Sequence, residues 1–347
     1  MTKIGSKGFA QTVNGKIKKS QLGFTLMHEH IFCDLRKPEK RSDVLYTNDE
    51  INIKNRFDIN YYQNRNQQNL ILDDYEKAIT ELKIFRKFGG RSIVELSTIG
   101  INAEPTKLSE ISKETGINII VGTGCYTEDY LEEKILNYSV EDLHILMFQH
   151  LHKGFEGTDI RAGLIGELGC SWHIKEIEKK SLQAALEIQD EIDVTISIHP
   201  GRHKDSPKEI VNYLETFKVN PSKTIICHID RTLTNMDDIL FLLNKGYVLE
   251  WDFFGIETSN YWFGKFDLPT DYMRLDLILE LIHKGYKDQI TISHDICIRT
   301  RLNSYGGHGY SHLSKNVVPL MLERGWSEEN IEQILVKNPA NMLCYIN

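Results

Sequence analysis

The chain has 347 residues, of which 41% are hydrophobic and 26% are charged, so it can bury a large core and is neither a mini-protein nor a disordered tail. Its 41 Lys and Arg residues against 49 Asp and Glu residues give a formal net charge of −8, which excludes the basic surface typical of nucleic-acid binders. No apolar run reaches the ~18 residues of a membrane span, and residues 1–16 lack the apolar core of a secretory signal, so we expect a cytoplasmic protein without membrane or nucleic-acid partners.

Eight short apolar or β-branched runs follow one another along the chain, and each is followed by an amphipathic stretch with helical spacing. These predicted strands cover residues 23–28, 92–97, 118–122, 162–167, 194–199, 224–228, 247–251 and 289–293. Their continuous apolar character indicates burial on both faces, as in a parallel sheet. Eight such units, with no Gly-x-Gly-x-x-Gly motif after the first strand, predict a (β/α)8 TIM barrel rather than an open doubly wound sheet. We expect one domain over residues 1–347.

Several of the intervening helices carry start signals. Ser206 is predicted as the N-cap of a helix with Pro207 at its first position. Asp73 and Asp74 before one helix, and Ser327 before another, similarly precede apolar residues at helical spacing.

Three connections are longer than a barrel needs, and they cover residues 33–69, 255–274 and 296–316. Connections of this length commonly carry binding residues. We therefore expect these loops to border or cover a site at the carboxyl-terminal face of the strands.

The six cysteines are scattered along the chain and form no Cys-x-x-Cys pair. This spacing favours reduced, inert thiols in the core over a disulfide framework or a zinc ribbon. The cysteines are Cys33, Cys125, Cys170, Cys227, Cys297 and Cys344.

Five of the eight predicted strands end in ionisable residues, at the position where barrel enzymes hold their active sites. These residues are His28, His30, Glu167, His199, His228, His294 and Asp295. Because side chains alternate along a strand, His28 and His30 face the same side and Glu29 faces the opposite one. A lone His-x-His pair is usually structural. Four of these histidines (His28, His30, His199 and His228), together with Glu167 and Asp295 at one barrel mouth, nevertheless predict a site for two divalent cations with a bridging carboxylate.

Long motifs at these strand ends resemble the phosphotriesterase family of the amidohydrolase superfamily, and its phosphotriesterase-related branch in particular. They cover residues 22–30 (LGFTLMHEH), 166–169 (GELG), 199–201 (HPG), 228–232 (HIDRT), 249–255 (LEWDFFG), 293–295 (SHD) and 305–312 (YGGHGYSH). The resemblance implies that His28, His30 and Asp295 hold the more buried metal, and that His199 and His228 hold the exposed one. Glu167 would bridge the two metals, where many members carry a carboxylated lysine.

The resemblance also implies a mechanism. A hydroxide bridging the metals attacks the scissile centre, and Asp295 receives the proton. Tyr126, at the mouth of the third strand, matches a family tyrosine beside the metals and would donate a hydrogen bond. A packed aromatic side chain is the alternative for Tyr126.

The substrate is less directly indicated. Phe253 follows the strand-seven aspartate, where lactonase and phosphotriesterase relatives often carry His or Arg. The resemblance implies hydrolysis of the amide of a small N-acyl taurine, such as N-acetyltaurine, or of an N-acyl amino acid. An anionic substrate needs a cationic receptor, for which Arg231, Arg299 and Arg301 are candidates. Phe253 and Trp262 are further candidates for substrate contacts.

Two alternatives remain at this stage. The first is a lactonase or phosphotriesterase that uses the same metals, and the second is a binding protein that has lost turnover. His and carboxylate ligands suit zinc, manganese, iron or cobalt, and we take zinc as the default. The family resemblance further implies a possible homodimer.

Overall fold

The computed structural model describes residues 8–36, 45–257, 261 and 267–344. Within these ranges every one of the eight predicted strands is present, although each begins or ends one or two residues away from a predicted bound. The strands in chain order are β1 (Phe9–Thr12), β2 (Gly15–Lys18), β3 (Thr25–Glu29), β4 (Cys33–Asp34), β5 (Ile71–Leu72), β6 (Ser92–Glu95), β7 (Asn118–Thr123), β8 (Leu164–Gly169), β9 (Ile196–His199), β10 (Thr224–Ile226), β11 (Val248–Trp251) and β12 (Ile290–Ile292).

The eight predicted strands form one parallel sheet in the order β3, β6, β7, β8, β9, β10, β11, β12. Backbone hydrogen bonds bridge the seam between the first and last strands. The Asp295 N–H donates to the His28 carbonyl at 3.1 Å, and the His30 N–H donates to the Ile296 carbonyl at 3.2 Å. The sheet is therefore rolled into the predicted barrel, and the carboxyl ends of its strands meet in one ring.

Helices surround this barrel. They are α1 (Arg56–Tyr61), α2 (Tyr75–Lys87), α3 (Pro105–Thr115), α4 (Glu133–Leu136), α5 (Val140–His152), α6 (Glu176–Ile192), α7 (Ser206–Leu214), α8 (Met236–Asn244), α9 (Asp271–His283), α10 (Val318–Glu323), α11 (Glu328–Glu332) and α12 (Asn338–Leu343). The described helices include none with the combination of length and apolar character that crossing a membrane requires.

Two of the three predicted helix starts are confirmed by their caps. The Asp74 side chain accepts from the Lys77 N–H at 3.0 Å, and the Ser327 hydroxyl accepts from the Asn330 N–H at 3.1 Å. The third prediction was one residue off, because α7 begins at Ser206 itself and Asp205 precedes it. Pro207 nevertheless indicated the first turn of this helix correctly, because the fixed φ of proline is compatible with a helix start.

The sequence analysis missed an antiparallel hairpin, β1–β2, at the amino-terminal end of the barrel. The Val13 N–H donates to the Ile119 carbonyl at 2.9 Å, next to the start of β7, and Ala10 forms a bridge with Cys344. The end of the chain is held there too, because the Lys223 ammonium donates to the carbonyls of Asn341, Met342 and Cys344 at 2.7 to 3.0 Å. Both ends of the described chain thus close the barrel floor.

Two packed layers stabilise the barrel. One lies between the sheet and the helices, and the other fills the barrel floor with the side chains of Leu22, Met27, Val94, Leu96, Ile120, Leu164, Ile225, Val248 and Leu343. All six cysteines are buried and free, as predicted. With the floor filled by apolar side chains, open space remains only toward the carboxyl ends of the strands in the described part of the barrel.

Candidate metal centre

The six predicted ligands lie together at the carboxyl ends of three strands, β3, β8 and β9, and in the two segments that follow β10 and β12. All six side chains are buried, and their residues are at most 8% exposed. They are His28, His30, Glu167, His199, His228 and Asp295. The alternation predicted along β3 is present, because His28 and His30 both face this cluster, whereas Glu29 contacts His294 in the segment that follows β12.

The Glu167 carboxylate stands at the centre of the cluster. Its Oε1 atom lies 2.6 Å from His199 Nδ1 and 2.9 Å from His228 Nε2, and these two nitrogens are 2.9 Å apart. The same oxygen lies 3.6 Å from His28 Nε2 on the other side. Glu167 therefore belongs to two groups of metal-ligating atoms at once, one with His199 and His228 and one with His28 and His30.

Asp295 completes the second group. Its Oδ1 atom lies 3.3 Å from His30 Nε2 and 3.9 Å from His28 Nε2. The Nε2 atom of His28 is buried and has no hydrogen-bond partner among the residues that the structure describes. A buried imidazole nitrogen left without a partner inside a ring of carboxylates is accounted for by a cation between them.

The residues present fit a divalent cation. Ligand atoms bound at about 2.0 to 2.2 Å in a tetrahedral arrangement lie roughly 3.3 to 3.6 Å from one another. The separations of 3.3, 3.6 and 3.9 Å around His28 and His30 fall in or near this range. The mixture of imidazole nitrogens and carboxylate oxygens is also one that zinc, manganese, iron and cobalt accept.

Hydrogen-bond partners of the Nδ1 atoms orient three of the histidine rings so that each Nε2 atom can bind a metal. His228 Nδ1 lies 2.7 Å from the Asp252 carboxylate, and His28 Nδ1 lies 3.3 Å from Glu250. His30 Nδ1 lies 3.0 Å from the Ser97 hydroxyl. Each contact leaves the Nε2 atom to face the cluster, because the proton on Nδ1 is used in the hydrogen bond behind the ring.

Glu29 fixes the end of the last strand. Its carboxylate accepts from the Ser293 hydroxyl at 2.8 Å, from His294 Nδ1 at 2.7 Å and from the Ile296 N–H at 3.0 Å. Asp295 lies within this clamped segment and has a φ of 49°, in the left-handed region that side chains rarely adopt. Its carboxylate is thus aimed by contacts made outside the barrel.

The sequence analysis missed Glu95 and Glu250 as supporting groups. Both are buried carboxylates inside apolar strands, and Glu95 accepts from the Ser97 hydroxyl at 2.6 Å. A carboxylate within an otherwise apolar strand was the signal that could have identified them, because burying an unpaired charge is costly.

Electrostatics set the protonation states that a metal requires. Burial alone raises the pKa of Glu167, but the charges of His199 and His28 and the hydrogen bonds of His199 and His228 hold it well below its ordinary value. Burial lowers the pKa of His199 to about 4 despite the opposing carboxylate. Burial and then the Arg231 charge lower the pKa of His228 well below its ordinary value. At neutral pH Glu167 is therefore ionised, and the imidazoles of His199 and His228 are neutral. Burial lowers the pKa of His28, but the charges of Glu167 and Asp252 outweigh it and raise that pKa well above its ordinary value, so a cation bound by His28 would displace a proton.

The cluster opens into a pocket whose walls include several of the predicted substrate residues. Tyr126 packs edge-on against His199 with ring centroids 5.0 Å apart, and Phe253 lies 5.5 Å from the His228 ring. Arg231 is 2% exposed, lines the same pocket and donates to the Pro200 carbonyl at 2.9 Å. Burial and the neighbouring Glu167 raise the pKa of Tyr126 well above its ordinary value, so its phenol stays neutral and able to donate.

Arg299, another predicted substrate residue, is not among the described residues that line this pocket. Arg299 faces a different cleft, where it donates to the Ile71 carbonyl at 2.8 Å, to Gln68 at 2.9 Å and to the Asp73 carboxylate at 2.7 Å. Trp262 lies outside the described residues. Arg299 therefore fixes the long connection between β4 and β5 to the loop after β12, and its charge is neutralised there.

Three further side chains complete the pocket without having been singled out as site residues. Arg202, Tyr130 and Tyr261 line it, and Arg202 Nε lies 3.4 Å from the Tyr261 hydroxyl. Arg202 follows the His199-Pro200-Gly201 segment by one residue, so a cation beside a strand end was the available signal. Arg301, also considered from the sequence, lines the pocket and lies 3.6 Å from the Asp295 carboxylate.

A parallel barrel with this cluster of histidines and carboxylates at the carboxyl ends of its strands defines a metal-dependent hydrolase. The chain matches the Phosphotriesterase family over residues 8–343 and belongs to that family. The sequence motifs therefore indicated the family correctly.

Relatives and a solved structure agree with this assignment. An N-acetyltaurine hydrolase from Xenopus tropicalis is 40% identical over 344 residues, which cover 97% of this chain and 98% of that protein. A phosphotriesterase-related protein from Nematostella vectensis is 40% identical over 348 residues, covering 98% and 99% of the two chains. The crystal structure of a resiniferatoxin-binding protein from Rhodobacter sphaeroides is similar with a TM-score of 0.92 at 30% identity, covering 99% of this chain and 98% of that chain.

Proposed function

We propose that this chain is a binuclear hydrolase that cleaves the amide of a small N-acyl taurine, such as N-acetyltaurine, or of an N-acyl amino acid. The observation that carries the proposal is that potential metal ligands and cationic side chains lie together at one buried pocket. Six metal-ligating side chains line or back this pocket, and three arginines stand in its walls. The 40% identity to an N-acetyltaurine hydrolase supports the choice of substrate.

The ligands divide into two sets around Glu167. His28, His30 and Asp295 would hold the more buried ion, and His199 and His228 the other. Zinc is the ion we propose for both positions. When bound, the two cations would lower the pKa of a water molecule and polarise the scissile carbonyl.

Asp295 would accept the proton of the attacking water and pass it to the leaving amine. Its pKa is held below the ordinary value although burial raises it, because the His30 hydrogen bond and the charge of His28 stabilise the carboxylate. Arg301 donates to its backbone carbonyl and faces its carboxylate, which keeps the group in position. Tyr126 would donate its phenolic proton to the substrate oxygen that gains charge.

Arg231 would receive the acid group of the substrate. In the structure its Nη2 lies 3.2 Å from His199 Nε2. When His199 ligates a metal through Nδ1, its Nε2 carries the proton and can no longer accept from Arg231. The guanidinium then keeps the Pro200 carbonyl as an acceptor and has donors available for a sulfonate or carboxylate, with Arg202 beside it.

Phe253 supports amide rather than phosphotriester or lactone substrates. It is 2% exposed and packs at a tilt beside the His228 ring, where it presents no hydrogen-bond donor to a substrate. Relatives with His or Arg at this position have a polar group there that this chain lacks.

The proposal is tested by metal analysis combined with a substrate panel on one preparation. The panel contains N-acetyltaurine, N-acetyl amino acids, a lactone and an aryl phosphotriester. We expect about two zinc ions per chain and release of taurine or amino acid that a chelator abolishes and added zinc restores. Two metals with turnover of the lactone or phosphotriester alone would favour the alternative hydrolase. Protein that binds no metal would refute the mechanism.

A further inference from the structure

A second cavity lies at the same face of the barrel, between three long loops. Its volume is about 360 Å³, compared with about 30 Å³ of open space in the metal pocket. Its walls come from α1 and the residues after it, from the loop that follows β11 and from the loop that follows β12. In the described part of the chain the two cavities share one wall residue, Arg301. We refer to this second cavity as the chamber.

The chamber is lined mainly by polar side chains. Apart from Ile256 and three glycines, its described wall residues are Arg56, Asn60, Gln63, Glu257, Thr300, Arg301 and His308. Two guanidinium groups therefore face one carboxylate and several neutral donors and acceptors. Such a wall suits a small ligand that carries an acid group and an ammonium group together.

Several polar atoms of the wall residues have no hydrogen-bond partner among the described residues. Gln63 Oε1, Thr300 Oγ1 and Arg301 Nε are buried without a hydrogen-bond partner in the described residues, and so is His308 Nε2. Leaving such atoms unpaired costs about 1 to 3 kcal/mol each. Buried polar groups in native proteins are ordinarily paired, so the side chains around the chamber retain hydrogen-bonding capacity that their contacts within the protein do not use.

The walls are also fixed in place. Arg56 Nε donates to the Tyr305 carbonyl at 2.5 Å and its Nη2 to the Thr300 carbonyl at 3.2 Å. A Cβ at Gly307 would lie 2.2 Å from the Arg301 carbonyl carbon, so only glycine allows the loop to approach this closely. A chamber held open by such contacts is preformed rather than a gap between mobile loops.

We infer that the chamber is a second ligand site, which binds the zwitterionic amine product, an aminosulfonate or amino acid, apart from the metal pocket. This inference rests on the proposed function for the identity of the ligand. Arg56 and Arg301 would receive the acid group, and Gln63 and Glu257 the ammonium group. Because Arg301 also faces Asp295 at 3.6 Å, an occupied chamber would slow turnover by drawing Arg301 away from that carboxylate.

The direct test is calorimetric titration of the full chain with taurine, with and without chelator. We expect saturable binding that persists without metal, because the chamber contains none of the proposed metal ligands. Glycine and β-alanine are titrated in parallel to separate carboxylate from sulfonate ligands. Ethanesulfonate and ethylamine, which each lack one charged group, should bind at least 10-fold more weakly. Absence of saturable taurine binding, or equal binding of ethanesulfonate, would overturn the inference.

Substitutions locate the binding. Asn60→Trp puts an indole into the chamber and should weaken taurine binding at least 10-fold, whereas Asp58→Trp, on the exposed side of the same helix, should not change it. Glu257→Gln should weaken it several-fold, because it removes the charge and keeps an acceptor for the Asp271 N–H. Thermal midpoints check that each variant is folded. Wild-type affinity in both folded variants Asn60→Trp and Glu257→Gln would refute the location.

Kinetics separate this inference from the proposed function. If N-acetyltaurine is hydrolysed, taurine should inhibit noncompetitively in wild type and Asn60→Trp should remove that inhibition. Purely competitive inhibition would mean that product returns to the metal pocket, and it would refute the second site alone. Taurine binding without any hydrolysis of N-acyl substrates would refute the proposed function alone.

Discussion

At the scale of single residues, the proposed metal centre depends on side chains that lie at strand ends and are oriented by hydrogen bonds on their far side. Glu167 contacts both sets of histidines, and Asp252 and Ser97 hold the far side of two of the rings. Removal of one imidazole therefore breaks a coordination sphere without removing any of the packing that forms the barrel.

His199→Ala should lose the ion held by His199 and His228 and reduce turnover at least ~1,000-fold, because the polarisation of the scissile carbonyl is lost. Metal content by mass spectrometry and kcat on N-acetyltaurine are the measurements. His283→Ala, an exposed histidine on α9, is the matched control and should keep both at wild-type values. Full activity in His199→Ala would remove this residue from the proposed ligand set.

Arg231 and Arg299 can be compared directly, because the sequence indicated both as candidate receptors for an anionic substrate, whereas only Arg231 lines the pocket in the structure. Arg231→Met should raise KM for N-acetyltaurine about 10- to 100-fold, the effect expected for losing a charged hydrogen bond to an anion. Arg299→Met should leave KM unchanged, since its guanidinium contacts Asp73 and Gln68 outside the pocket.

The neutral amide N-ethylacetamide distinguishes anion recognition from a general disturbance. Its turnover should be equally low in wild type and in Arg231→Met. If both substrates weakened in parallel, Arg231 would have a structural role, and the anion receptor would have to be sought elsewhere in the pocket wall.

The sequence predicted the clustering of the candidate ligands better than the residues of the pocket walls, for a physical reason. His28 and His30, two residues apart at a strand end, must face one side by strand geometry alone. Arg299 and Arg202 both lie in loops, where side-chain direction depends on long-range contacts such as that of Arg299 with Asp73. No local sequence pattern contains those contacts. The sequence could therefore identify Arg231, Arg299 and Arg301 as candidate receptors without showing which of them line the pocket.

At the scale of elements, continuous apolar runs made all eight barrel strands recognisable. The hairpin β1–β2 was missed because its strands have four residues each and lysines occupy half of β2. Residues 33–69 were expected to form a bordering loop, and the described part of that connection contains β4 and α1, with β5 directly after it. Such short elements are stabilised by tertiary contacts rather than by local propensity.

Helix α5 contains a partly buried histidine, His150, whose protonation should change the free energy of unfolding. Burial lowers the pKa of His150 to about 4, and its Nδ1 lies 2.7 Å from the Thr123 hydroxyl on β7. The unfolded histidine has a pKa near 6.5, so as the pH falls the unfolded chain binds the proton first. The free energy of unfolding should therefore fall between about pH 6.5 and pH 4, by about 2 kcal/mol for this residue between pH 7.5 and pH 5.

Urea unfolding at pH 7.5 and pH 5 measures this contribution. His150→Gln should lose about 2 kcal/mol less than wild type over that interval, because glutamine does not titrate. His283→Gln, at the exposed end of α9, should behave as wild type. An identical pH response in all three proteins would show that His150 is protonated as readily when folded as when unfolded.

At the scale of the whole molecule, the barrel concentrates buried charge at one face and apolar packing at the other. An ion that binds the folded chain and not the unfolded chain adds about 4 kcal/mol of stability when its concentration is ~1,000 times the dissociation constant. Chelation should therefore lower the thermal midpoint by several degrees, and added zinc should restore it.

Differential scanning calorimetry with and without chelator checks this expectation. The double variant His28→Ala/His199→Ala should have the same midpoint in both conditions, since it lacks a ligand from each set. A wild-type midpoint that chelation leaves unchanged would indicate that the cluster is stable without ions, and the proposed metal centre would lose its support.

The closure of the barrel floor has a consequence for protein engineering. The hairpin β1–β2, helix α12 and the Lys223 ammonium join the two ends of the described chain at the face opposite the metal pocket. Circular permutation that links these ends and opens the chain at a helix–strand turn should therefore preserve the catalytic face. Loops around the pocket should likewise be exchangeable with those of other family members, provided that the seam contacts of His28 and His30 are kept, because the elements that close the barrel floor lie elsewhere.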